Sequence, residues 1–77
     1  MLRLENIVIG SKIAEADFFP ENEKLSGHIC VNLSTEEIEH IDHVPGYEFM
    51  YPGHARQRLV RMAKEHDTRS SCVVMWF

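Results

Sequence analysis

Apolar and polar residues alternate in "LSGHICVNL", with Leu25, Gly27, Ile29, Val31 and Leu33 on one side and Ser26, His28, Cys30 and Asn32 on the other. A period of two predicts a strand with one face on a core. Upstream, "RLENIVI" is rich in β-formers and reads as a first strand, and Gly10-Ser11 reads as a tight turn into a second, "KIAEADFF". Pro20 to Lys24 end that strand with polar turn residues. The segment "STEEIEHIDHV" carries two signals. Ser34 and Glu37 match a capping box, with Ile38 and Ile41 at helical spacing, whereas the short length and polar "STEE" suit a turn into a fourth strand. The strand is the favoured expectation.

After residue 52 the period changes. In "GHARQRLVRMAKEH", Ala55, Leu59, Met62, Ala63 and His66 form an apolar stripe, and Arg58, Arg61, Lys64 and Glu65 lie toward the other side. This predicts an amphipathic helix, with Pro52 at the first position, where its missing N–H leaves no bond unmade. The final "SCVVMWF" alternates Val73, Met75 and Phe77 with Cys72, Val74 and Trp76, so both faces are apolar and an interior place in the sheet is expected. The expected fold is α+β: a small antiparallel sheet of four to five strands with one amphipathic helix packed on one face, in the order β-β-β-β-α-β, as a single domain over residues 1–77. One helix covers one face. The other then needs cover from the loop 45–53, from curl of the sheet, or from a second subunit.

At 77 residues the core is barely large enough to offset chain entropy. In so small a domain, Tyr47, Phe49, Met50 and Tyr51 read first as core material delivered by a loop and second as a ligand-binding surface. With 44% apolar and 26% charged residues the composition is that of a globular domain, and no apolar run approaches the ~20 residues that span a bilayer. "MLRLENIVIG" lacks a secretory leader pattern, and Cys30 and Cys72 lack metal or redox spacing, so buried free thiols in a cytoplasmic protein are expected. The net charge of −4 divides unevenly: residues 1–48 hold ten acids and three bases, residues 49–77 two acids and five bases. The overall sign disfavours nonspecific nucleic-acid binding, while the local excess makes Arg56, Arg58, Arg61 and Lys64 a candidate face for an acidic protein partner, a phosphate group or RNA.

Five histidines invite a metal reading. His40 and His43 share a face only if their segment is helical, and zinc needs three or four convergent ligands. A site from His28, His43, His54 and Asp42 has no local motif behind it, so no metal or other cofactor is assigned. His54 has the best individual case. It falls in the first turn of the helix, at the positive end of the helix dipole, where a neutral ring serves as base, acid or ligand, with His43 or Glu48 as companion. No Gly-rich phosphate loop, H-E-x-x-H or G-x-S-x-G occurs, and no catalytic residue is assigned.

The residues "VPGYE", "YPGHARQRL" and the terminal "VVMWF" together resemble a group of short, uncharacterised bacterial proteins of Gram-positive type that end in a similar Val-Met-Trp-aromatic strand. The resemblance implies a bacterial cytoplasmic protein and implies no activity, cofactor or site residue. The leading expectation is a noncatalytic, self-associating protein-interaction module that contacts its partner through Tyr47, Tyr51, His54, Arg58 and Arg61. The rivals are a small enzyme or metal-dependent module using His54 with His43 or Glu48, and an RNA-binding module using the basic helix face.

Overall fold

A computed structural model describes residues 1–76. The elements run β1 (Leu2–Ile9), β2 (Ile13–Pro20), β3 (Gly27–Asn32), β4 (Ile38–Asp42), α1 (Tyr51–Lys64) and β5 (Cys72–Val74). They form one antiparallel sheet of order β4-β3-β2-β1-β5, with α1 packed on one face. The fold is therefore α+β with the expected element order. The segment after β3 makes one turn and does not continue as a helix: the Asn32 side-chain oxygen accepts the N–H groups of Ser34 and Thr35 at 2.8 and 3.0 Å, but Glu36 takes φ 63° and the Asn32 N–H donates to the Glu37 carbonyl at 2.8 Å, which turns the chain back into β4.

Leu2, Leu4, Ala14, Ala16, Phe18, Ile29, Val31 and Val74 point toward α1 and are buried, as period two requires. β1 changes face partway along. The register shifts between Glu5 and Val8, and Asn6 has φ 53°, so one extra residue is accommodated and Ile7 rather than Val8 turns inward. The helix contributes Pro52, Ala55, Leu59, Val60 and Met62. Val60 replaces the expected His66 because the helix stops two residues before His66. His66 takes φ 54°, its N–H donates to the Ala63 carbonyl, and the Asp67 N–H reaches the Met62 carbonyl at 2.9 Å. These paired bonds close the helix end in a Schellman motif, leaving His66 exposed.

Three expectations are corrected by packing. β5 is not interior: it pairs with β1 alone, at the edge of the sheet, and Val73 on its outer face is 50% exposed. Phe77, which entered the expected alternation, lies outside the described residues. Nor does the second sheet face need an apolar cover, since it carries Arg3, Glu5, Glu15, Asp17, His28, Asn32, His40 and Asp42. Polar cross-strand pairs satisfy one another there, with His28 Nδ1 2.8 Å from Asp17 and Arg3 lying 4.4 Å over the Phe19 ring. The thiols are half-buried rather than buried, both are free, and Cys30 sits on this polar face. Among the described residues no helix is long and apolar enough to cross a membrane.

Candidate functional site: the groove between the helix and the last strand

The loop that follows β4 divides its aromatic residues between two tasks. Val44 enters the core, and Tyr47 and Tyr51 pack half-buried against it. The Tyr51 hydroxyl donates to Glu21 at 2.6 Å and the Tyr47 hydroxyl to Glu23 at 3.2 Å, tying the start of α1 to the β2–β3 turn. Each bond holds its phenol proton: the hydrogen bond to Glu21, followed by partial desolvation, pushes Tyr51 up to about 12, and the bond to Glu23 raises Tyr47. Phe49 and Met50 behave differently. They are 86% and 61% exposed, which corrects the expectation that the whole aromatic run is core material.

α1 begins in a strained way. Met50 has φ 71° and ψ −46°, and the Tyr51 N–H donates to the Phe49 carbonyl at 2.8 Å, a γ-turn of the rare left-handed kind. No side chain caps the helix. The turn aims Tyr51 and His54 along the flank of α1 nearest β5. There His54 stacks on Trp76, with centroids 4.1 Å apart and planes 12° from parallel, and the Tyr51 ring meets Trp76 edge-on at 5.2 Å. Tyr47 continues the chain of rings, edge-on to Tyr51 at 5.1 Å.

The basic face is split by the helical period. Positions 54, 58 and 61 recur on the β5 flank, while 56, 60, 63 and 64 turn toward β3 and β4. Arg56 donates to the Glu36 carbonyl at 3.0 Å and Lys64 pairs with the Glu36 carboxylate at 3.0 Å, so these two cations secure α1 to the β3–β4 turn. Arg58 and Arg61 remain beside Trp76. With His54, Gln57, Met75 and Val74 they line an open groove of about 310 Å³. Arg61 also reaches Glu65 at 3.4 Å, an exposed pair one turn along that contributes little. Among the described residues Arg58 makes no side-chain hydrogen bond or ion pair.

Of the residues expected from sequence, Tyr47, Tyr51, His54, Arg58 and Arg61 thus share one flank, and Arg56 and Lys64 leave it. His43 and Glu48 are exposed, and no hydrogen bond joins either to His54. Among the described residues, no group of three or more His, Cys, Asp or Glu is placed to hold a metal ion. Trp76 is the member that sequence reasoning missed. As one apolar residue in an alternating strand it carried no signal; its role comes from the chain leaving the β ladder after Val74, which lets the indole fold over α1. No protein-family model, curated protein or solved structure matches the chain.

Proposed function

We propose that this protein is a noncatalytic protein-interaction module, self-associating, that receives an extended acidic segment of a partner protein in the groove between α1 and β5. The observation that supports this reading is the convergence of an aromatic stack, His54 on Trp76, with Arg58 and Arg61 at the edge of the sheet. Guanidinium forks hold carboxylates in pairs of short bonds. A terminal strand offers unpaired N–H and C=O groups along which an extended chain can hydrogen-bond. The groove is shallow and open, the shape for a side chain or short segment rather than for an enclosed reaction. RNA suits it less well, because the net charge of −4 and the acidic second sheet face repel a phosphate backbone away from the groove. The two free thiols fit a reducing, cytoplasmic setting.

Trp76 is the single tryptophan of the chain, so its fluorescence reports on the groove directly. Titration with a Glu/Asp-rich peptide is expected to shift and quench that emission, with affinity falling as salt rises. Arg58→Glu/Arg61→Glu removes the effect, and Lys24→Glu, at an exposed turn, leaves it intact. Equal binding by the double reversal, or a response to oligouridylate with none to the peptide, refutes the reading.

A further inference from the structure

We infer that the acidic partner segment pairs antiparallel with β5 as a sixth strand centred on Val73, and that the groove reads it as acid-apolar-acid. The inference rests on the groove proposed above and gives it a backbone register and a side-chain pattern. The register follows from β1. Leu2 lies opposite Pro20, which has no N–H to give, while the Glu21 N–H donates to the Met1 carbonyl at 2.9 Å. Bonded and non-bonded pairs alternate along an antiparallel ladder, so Arg3 and Glu5 direct their backbone groups to β2, and Leu2 and Leu4 direct theirs to β5. Val74 and Cys72, opposite Leu2 and Leu4, are thereby satisfied. The Ser70 carbonyl, of the same parity, also turns inward and accepts the Ile7 N–H at 2.9 Å. Val73 therefore turns its N–H and C=O to the open edge, where no strand among the described residues meets it. In an antiparallel pair both groups bond to a single residue of the incoming chain.

That register fixes the side chains. Residues directly opposite one another share a face of the sheet. The central residue of the segment thus lies beside Val73, half-exposed on the face away from α1, where a β-branched apolar side chain covers it. Its two neighbours point to the helix side. β5 runs back along α1, since Trp76 meets Tyr51 and His54 in the first turn while residues 65–71 return from the last turn to Cys72. The neighbour opposite Val74 is then level with Arg58, and the neighbour opposite Cys72 with Arg61. Alternate strand residues are about 6.8 Å apart and helix side chains three apart about 5–6 Å, so carboxylates at i and i+2 match the two guanidinium groups.

Charge selects this edge over the other free edge of the sheet. Arg58 makes no ion pair among the described residues, and Asp67, which feels its charge, is held by Arg69 at 2.7 Å. Arg61 has an exposed contact with Glu65 at 3.4 Å, which a carboxylate gripped by two short bonds readily replaces. β4 is open as well, but it carries Glu39 and Asp42, which repel an acidic strand.

The probe is the end-capped peptide Thr-Thr-Glu-Val-Glu-Thr-Thr, titrated into isotope-labelled native chain while the Trp76 indole and the Val73 amide are followed by nuclear magnetic resonance. Both signals are expected to shift together, with the β4 amides unmoved. N-methylation of the central Val removes the donor to the Val73 carbonyl and should weaken binding about tenfold, the value of a lost hydrogen bond with its acceptor left unpaired. The same methyl on the second Glu faces away from β5 and leaves the affinity unchanged. Reordering to Thr-Thr-Glu-Glu-Val-Thr-Thr puts one carboxylate on the wrong face and should cost at least about tenfold. Val73→Pro deletes the outward N–H without breaking a bond of the sheet and should also weaken binding; the methylated peptides, used on the native chain, do not depend on its folding. Equal affinity for the two methylated peptides, or for the two orderings, overturns the inference and leaves the groove reading in place. If no acidic peptide binds at all, both fall.

Discussion

Gly27 is where replacing one hydrogen by a methyl group should cost most. It opens β3 opposite Phe18, with β4 on its other side. A Cβ built there lies 2.5 Å from Phe18 Cε1, and closer still to Phe18 Cζ and the Asp42 carbonyl oxygen. Ordinary contact begins at 3.4 Å, so Gly27→Ala requires a fully buried ring and a strand backbone to retreat together. Overpacking a core usually costs about 1–3 kcal/mol, and with a backbone atom among the obstacles the upper end, about 3 kcal/mol, is expected. For a domain of this size that is roughly 12 to 24 °C in Tm. Two other glycines supply controls of known sign. Gly53 lies within α1 with nothing inside 4 Å, so Gly53→Ala should gain about 0.5–1 kcal/mol. Gly46 has equal space but φ 87°, so Gly46→Ala should lose about 1–2 kcal/mol through the backbone alone. Thermal melts followed by far-ultraviolet circular dichroism give the order. Because β4 and β5 are opposite edges of the sheet, Gly27→Ala should still bind acidic peptide at 10 °C. A Gly27→Ala melt within about 4 °C of the native chain would refute the close-approach reasoning.

Other outcomes follow from the same geometry. Met50→Gly should raise stability by about 0.5–2 kcal/mol, since glycine adopts φ 71° without strain, and urea melts read the gain. Tyr51 holds its proton more tightly when folded, up to about 12 against 10 when unfolded, so its contribution is complete below pH 10 and lost as pH rises through 12. The stability gap between the native chain and Tyr51→Phe, measured from pH 8 to 11.5, should therefore narrow at the alkaline end. Asp67 has the opposite sign. The Arg69 guanidinium, reinforced by the Arg69 backbone N–H, draws its carboxyl down from 3.8 to about 2, so its contribution is present above pH 3.8 and disappears as pH falls through 2. The gap to Asp67→Asn, followed by urea melts between pH 5 and 2, should close at the acid end.

Sequence alone determined the kinds of element and their order, because the strands and the helix each place apolar residues at their own period, and that period is a local property of the backbone. Alternation in "GHICVN" and the 3.6-residue recurrence of Ala55, Leu59 and Met62 were legible without partners. Five residues that line the candidate groove or its chain of rings were conspicuous by type around the helix start, two tyrosines, a histidine and two arginines. Which cations remain available was not. Arg56 and Lys64 look identical to Arg58 and Arg61 in a sequence, and only the approach of Glu36 from a distant turn separates them. Trp76 likewise read as strand until the chain was seen to leave the ladder after Val74 and lay the indole on His54. The β1 bulge, the γ-turn at Met50 and the edge position of β5 also belong to tertiary structure, because each is a choice among locally permitted conformations made by what packs against it. Periodicity says which side of an element seeks burial; it does not say what arrives from elsewhere in the chain to meet it.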